Sequence, residues 1–530
     1  MICLTHDTTD PVRLHGIRHF LEKNGLAVTD AEKASVGIVY GNAKCDFEQT
    51  IRILEADNQD VCQGLIRYKG EKIPAYEVPT RLEGGCIAEY AGKETYPCVT
   101  FSGKETIIGF DIFNICGQIL SGMYERCDEP DADRRARAGT PVIDSYEQIL
   151  FDSIKNACHK LGLPLVRKAL WPDGKGFAVC LTHDVDEVRK TYQHLTRPVI
   201  YSLRGELGRA VRQAYYSAGD LLARRNPYWT FPKLMEVEEG LGVRSSLYFL
   251  EEKGKVSITS PKTWIHSARR YDFTDANVTE LIVRLRDGGW DVGVHGSYYS
   301  YDNEKLFTCE KDRIEKVLDA KTVGTRQHHL NMCFPDTWNI HEGAGLLYDT
   351  SLGFKDIVGF RWGTCFPFTP FDSDELKAIR LLEIPLIIMD TPLFASRKDI
   401  EKVCDELTDT VAAAHGVLTL LWHHTVFDER EYPGWIGRYE RIVRRCQDRD
   451  AWVTDAASLA RWWDARASKD YTVEAGYDDV SVGCTDDIIL EALLPASGRL
   501  INQGFTVIKE QGASVFIKLK KGEKASLKME

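Results

Sequence analysis

No stretch of this chain is apolar enough to cross a bilayer, which takes ~20 consecutive residues. The longest apolar run, Leu381–Met389, is interrupted by Glu383 and Pro385. The opening residues, Met1-Ile2-Cys3-Leu4-Thr5-His6-Asp7, lack a basic segment and an apolar core, so no secretory signal is visible. The 15 cysteines are odd in number and never spaced C-x-x-C. That excludes a zinc knuckle and fits reduced thiols in the cytoplasm. A phosphate-binding loop and a glycine-rich dinucleotide fingerprint are also missing. So is an excess of positive charge: 67 Lys and Arg face 79 Asp and Glu, a net of −12. This balance argues against non-specific binding to nucleic acid or to an anionic membrane. It leaves a neutral sugar open as a ligand.

What is present is a foldable chain. Hydrophobic residues make up 43% and charged residues 28% of 530, which supports a packed core and excludes global disorder. At ~150 residues per domain the length suggests three or four units, or one large barrel with appendages. Residues 1–172 read as a smaller α/β domain. Leu14–Leu26 has helical spacing, Val36–Gly41 reads as a buried strand, Phe110–Met123 as a buried helix and Asp144–Leu161 as an amphipathic one. Between the last two, the charge-dense Glu125–Arg137 reads as an exposed loop. Residues 173–467 alternate short β-like runs with amphipathic helices. The runs are Phe177–His183, Ser245–Leu250, Trp290–His295, Thr322–Gln327, Tyr348–Gly353, Arg380–Met389, Val417–His423 and Trp452–Thr454. Such alternation predicts a parallel sheet, and seven or eight repeats predict a distorted (β/α)7-8 barrel. Residues 468–530 predict a small all-β appendage. One local echo stands out: Cys3–Asp7 repeats as Cys180–Asp184, either a duplicated strand end or a coincidence.

Four polar clusters fall at the C-terminal ends of predicted barrel strands, where barrel enzymes place their active sites. In Thr182-His183-Asp184-Val185-Asp186, residues two apart on an extended segment point the same way, so Asp184 and Asp186 enter one pocket. One carboxylate can bind a metal while the other stays free as a base. Helix capping by a solvated acid is the bland alternative. His295 ends a second strand, before Gly296, and a neutral imidazole there suits a zinc-type ion. A third strand ends Arg326-Gln327-His328-His329: the guanidinium can hold a carboxylate bidentately, and either histidine can complete a metal site. A fourth delivers His423 or His424, able to protonate a leaving group near neutral pH. Glu383 and Asp390 are candidates to orient His423. Aromatics gather in the same loops: Tyr228, Trp229, Tyr298, Tyr299, Tyr301, Trp338, Trp362 and Trp435. They suit either stacking on sugar faces or core packing.

In this order the clusters resemble the polysaccharide deacetylase superfamily, the carbohydrate esterases of the family 4 type, over about residues 175–465. A branch with an extra N-terminal domain before a Leu-Thr-His-Asp-Val-Asp motif is the nearest in pattern, and Tyr348–Phe354 and Gly359-Phe360-Arg361 share it. The resemblance implies metal-dependent removal of acetyl groups, N- or O-linked, from a saccharide or glycan precursor. It implies Asp184 as general base, Asp186 and His295 as ligands of a divalent metal such as zinc, Arg326 as the residue orienting the base, and His423 as general acid. Tyr298, Tyr299, Trp338, Arg361 and Trp422 are the expected substrate contacts. The pattern departs at Tyr299, where the family has its second motif histidine. His328 is the expected replacement ligand. Two other readings stay open: a carbohydrate-binding protein on the same barrel without catalysis, and a metal amidohydrolase acting on a small amide.

Overall fold

A computed structural model describes residues 1–43, 45–55, 64–126, 135–251, 271–396, 399–475, 479–495, 500–501 and 505–529. Its N-terminal sheet contains β1 (Ile2–His6), β2 (Val36–Tyr40), β3 (Gln49–Ile53), β4 (Leu65–Tyr68), β5 (Glu71–Pro74), β6 (Gly85–Ala91), β7 (Thr95–Ser102) and β8 (Glu105–Ile108). The order is β1-β2-β3-β8-β7-β6-β4-β5, with β1, β2, β3 and β8 parallel and the rest antiparallel. Every residue of β2 is buried, as a continuous apolar strand demands. The helices Pro11–Asn24, Ile112–Leu120 and Val142–Lys160 belong to this unit, as their apolar periodicity predicts. Of the charged stretch Glu125–Arg137, residues 127–134 lie outside the described residues; its ends are helical rather than loop.

The next strand in sequence, β9 (Leu165–Lys168), joins neither this sheet nor the barrel. It pairs antiparallel with a strand more than 300 residues later. The barrel follows: β10 (Phe177–Val185), β11 (Ser246–Phe249), β12 (Asp291–Gly296), β13 (Gly324–Gln327), β14 (Tyr348–Asp349), an antiparallel hairpin of β15 (Phe371–Asp372) and β16 (Lys377–Ala378), then β17 (Leu382–Glu383), β18 (Ile388–Met389), β19 (Val417–Leu421) and β20 (Ala451–Thr454). The parallel order is β17-β14-β13-β12-β11-β10-β19-β18. Its two ends, β17 and β18, belong to one extended segment. Leu382 and Glu383 pair with β14, whereas Ile388 and Met389 pair with β19. The change of partner occurs around Pro385, which has no N–H to give to either ladder. This segment therefore bridges the open edges and curls the sheet into an α/β barrel. The expected single strand Arg380–Met389 is thus split in two. The expected strand Tyr348–Gly353 keeps only its first two ladder residues, because Thr350 and Ser351 turn to bond β13.

β10 is a central strand of the barrel sheet, and all nine of its residues are buried. One flank bonds β19. The other bonds β20 along Phe177–Cys180 and β11 along Thr182–Val185, in tandem. Its outward His183 is held by Glu238, fully buried on the helix Phe231–Leu241. Glu238 also accepts from Tyr439, Ser245 and Trp290 at 2.6–2.9 Å. The echo sequence at Cys3–His6 is also a parallel strand, but there the matching His6 is exposed.

The C-terminal unit has two antiparallel sheets. β21 (Tyr471–Ala475), β22 (Asp479–Cys484), β27 (Lys524–Met529) and β24 (Leu500–Ile501) form one, in that order. β25 (Thr506–Gln511), β26 (Ser514–Leu519), β23 (Ile488–Leu493) and β9 form the other. The three units meet around a cavity of 680 Å³, lined from each by residues such as Lys23, Arg167 and His415. No helix among the described residues is long and apolar enough to cross a membrane.

Candidate metal centre at the barrel mouth

The alternation of β10 sends Thr182, Asp184 and, one residue past the strand, Asp186 toward the barrel interior. Arg326, fully buried on β13, lies across from them. Its Nη1 donates to Thr182 Oγ1 at 2.8 Å and to Asp184 Oδ1 at 3.1 Å. Its Nε and Nη2 donate to the carbonyl and hydroxyl of Thr350, at 2.9 and 3.0 Å. The expected bidentate clamp on the carboxylate is therefore a single bond. The rest of the fork anchors the arginine to the chain after β14. Thr350 lay within the segment Tyr348–Phe354 without an assigned role. Thr182 lay within the motif without an assigned role.

His295 is the penultimate residue of β12, and its Nδ1 lies 2.7 Å from the carbonyl of Arg326. A carbonyl can only accept, so that bond places the proton on Nδ1 and turns the Nε2 lone pair inward. Nε2 then lies 3.1 Å from Asp186 Oδ1 and 3.6 Å from Asp184 Oδ2. Two acceptors face each other at this distance only with a proton or a cation between them. His328, buried just beyond β13, brings its Nε2 to 3.6 Å from Asp186 Oδ1. One donor atom each from Asp186, His295 and His328 lie within 4.8 Å of one another. Zinc bonds of about 2.0 Å in a tetrahedron set donor atoms about 3.3 Å apart. The two distances from Asp186 Oδ1, 3.1 and 3.6 Å, lie close to that spacing, and the donor types suit a divalent ion.

The backbone chooses between the paired histidines. His329 adopts φ 59°, which turns its ring outward to exposure, against Tyr298, while His328 faces in. Position 299 lies away from this cluster. β12 ends at Gly296 and a turn follows, so Tyr299 is 47% exposed instead of facing His295 across a helical turn.

On the opposite side, Asp390 fixes His423. One carboxylate oxygen accepts the backbone N–H of His423 at 2.8 Å, and the other lies 2.7 Å from Nδ1. Nε2 is left facing Asp186 Oδ2 at 3.7 Å. Burial opposes a charge on His423, but Asp390 and the acids 186 and 184 outweigh it and push its pKa up to about 10. Burial likewise resists ionisation of Asp186, yet its contacts with His295, His328 and His423 hold it well below the usual range. For His295, the same two acids outweigh burial and raise the imidazole. His424 turns into the core instead. It stacks on Phe231 with centroids 4.6 Å apart, and burial lowers its pKa to about 4.

Other expected residues fall elsewhere. Glu383 does not reach His423; it accepts from Trp338 Nε1 at 2.8 Å and Leu352 N at 3.0 Å. Trp338 and Trp422 are fully buried, so neither offers a ring face to a substrate. Arg361 is engaged by Glu125 through two bonds of 2.7 and 2.8 Å, which ties the barrel to the N-terminal unit. Tyr298 is half-buried and Tyr299 exposed, and both line the rim beside His329.

No protein-family model and no curated protein matches the chain. Solved structures do. A polysaccharide deacetylase of Mycobacterium smegmatis is 18% identical at a TM-score of 0.37, covering 56% of this chain and 94% of that one. A family 4 carbohydrate esterase of Streptomyces lividans, in complex with acetate, is 8% identical at 0.27, covering 53% and 92%. A CE4 family pseudoenzyme of Bacillus anthracis is 10% identical at 0.27, covering 53% and 65%.

Proposed function

We propose that this chain is a metal-dependent hydrolase that removes acetyl groups, from nitrogen or oxygen, on a saccharide or glycan precursor. The convergence of Asp186, His295 and His328 between the Asp184–Arg326 and His423–Asp390 pairs carries the reading. Asp186, His295 and His328 would hold the ion, and their imidazole-rich character favours zinc. The ion supplies Lewis acidity: it polarises the acetyl carbonyl and lowers the pKa of water toward ~7.

The chain's own residues move the protons. Asp184 takes one from the attacking water, and the guanidinium of Arg326 holds its carboxylate in line. His423 gives its Nε2 proton to the departing amine or alkoxide while Asp390 holds Nδ1. Acetate leaves, and the proton on Asp184 returns the pair to its starting state through solvent. Tyr298 and Tyr299 offer ring faces for a sugar at the rim. The described cysteines are all free thiols, in keeping with a reducing compartment such as the cytoplasm.

Elemental mass spectrometry tests the centre. Near one metal per chain is expected in the parent and in His329→Ala, with loss in Asp186→Ala, His295→Ala and His328→Ala. A metal-free parent protein would reject the hydrolase in favour of a sugar-binding barrel. Acetate release from acetylated saccharides tests the substrate class; release from small amides alone would overturn the glycan reading.

A further inference from the structure

Between β10 and the helix Phe231–Leu241 the chain inserts two helices, Gln193–Leu203 and Leu207–Leu222, joined by Arg204-Gly205-Glu206. Their amphipathicity is inverted. The side of the second helix that faces the protein is polar. Its buried Gln213, Ser217 and Asp220 bond Glu431, Lys190 and Arg430 at 3.1, 3.3 and 3.0 Å. The side that faces solvent is apolar: Leu207, Val211, Tyr215 and Leu222 are 66%, 70%, 74% and 88% exposed. On the first helix, Leu195, Val199 and Leu203 recur every four residues, also outward. Ten of the fifteen large hydrophobic side chains exposed among the described residues lie between Tyr192 and Leu222. A concentration of exposed apolar side chains of this kind marks an interaction surface.

Charge identifies what covers it. The overall −12 conceals a local reversal: residues 193–225 carry six arginines against Glu206 and Asp220, a net of +4. Arg197, Arg209 and Arg225 are engaged by Glu431, Glu206 and Asp428. Arg204, Arg212 and Arg224 are exposed, with no ion pair among the described residues. A second copy is a poor occupant, since a self-complementary contact would set these arginines against one another. Neither helix is long and apolar enough to cross a bilayer. Apolar side chains flanked by free arginines suit the boundary between headgroups and acyl chains.

We propose that this helical hairpin docks the protein on an anionic lipid surface. The leucines and valines enter the acyl boundary, and Arg204, Arg212 and Arg224 meet the headgroups. The docked face also orients the barrel. The inner side of the hairpin rests on Glu431 and Tyr432, in the loop after His423, and Gln193 donates to Glu187, next to Asp186, at 2.6 Å. The mouth therefore lies beside the docked hairpin.

Co-sedimentation of the full chain tests it, with vesicles of phosphatidylcholine alone or mixed with phosphatidylglycerol. Binding is expected to the mixed vesicles only and to weaken with salt. Two double variants, Val211→Ser with Tyr215→Ser and Arg204→Glu with Arg212→Glu, are each expected to bind at least ~10-fold more weakly. Their melting temperatures should match the parent's, because all four side chains are at the surface. Absence of binding, equal binding to neutral vesicles or unchanged binding by the variants would overturn the proposal. So would a dimer, seen by light scattering, that Val211→Ser with Tyr215→Ser dissolves.

Discussion

Arg326 shows how much one side chain can hold. It is fully buried and ties β10, through Thr182 and Asp184, to Thr350 beyond β14. Arg326→Met leaves Asp184 without its cation, and denaturant unfolding should show a loss of about 3–5 kcal/mol. In the proposed reaction His423 is a proton donor and not a ligand, so His423→Ala should lower kcat by about 10²–10⁴-fold and leave the metal content unchanged. Away from the centre, Asp291 accepts from Ser246 and Tyr348, each at 2.7 Å, and burial then Asp455 raise its pKa to about 6. A carboxyl raised on folding favours the native state while protonated. Its contribution is therefore full below about pH 4 and fades as the pH rises through 6. That is a change of about 3 kcal/mol at ~1.4 kcal/mol per pH unit. Asp291→Asn should flatten this part of the stability profile, as urea titrations between pH 4 and 7 would show. The acids 184 and 186 were legible because strand alternation is a property of the sequence. His328 was expected over His329, but the positive φ that turns His329 outward was not legible. The burial of Trp338 and Trp422 was not legible either, because a tryptophan in a loop and one in the core read alike.

The eight barrel runs were legible as elements because parallel strands buried on both faces read as short apolar blocks. Their ends were not, since a ladder stops where its neighbour stops. β17 and β18 looked like one strand because nothing local marks a change of partner. Also invisible was why some strands carry glycine. A Cβ on Gly324 would lie 1.9 Å from the ring of Tyr348, which crosses the barrel interior to reach Tyr248 and Asp291. Gly324→Ala is expected to cost about 1–3 kcal/mol through overpacking. It should also weaken metal retention, because β13 carries both Arg326 and, just beyond it, His328. Melting temperature and metal content measured on the same sample would show the two losses together. The inverted hairpin escaped notice for a similar reason: its periodicity is ordinary, and only the structure shows which side faces water.

The flanking units are joined to the barrel by buried polar contacts as well as by a shared apolar cluster. Arg466, buried near the end of the last barrel helix, donates to the carbonyls of Ala169, Glu22 and Lys23 at 2.8–3.0 Å. It thus collects the C-terminal end of the helix Pro11–Asn24 and the chain after β9. Tyr471 adds bonds to Gly25 and Val166. Arg466→Met should leave these carbonyls unsatisfied and split thermal unfolding into separate steps in a calorimeter. Sequence separation has a consequence for synthesis as well. The N-terminal sheet closes within the first 108 residues, whereas β10 must wait for β19 and β20, more than 230 residues further on. Long-range parallel pairing is slow, and until it forms β10 has unpaired edges. On a ribosome, the strand that sets the spacing of Asp184 and Asp186 would remain open until Thr454 has emerged. Nascent chains arrested short of that point should yield to protease across β10 while their first sheet resists.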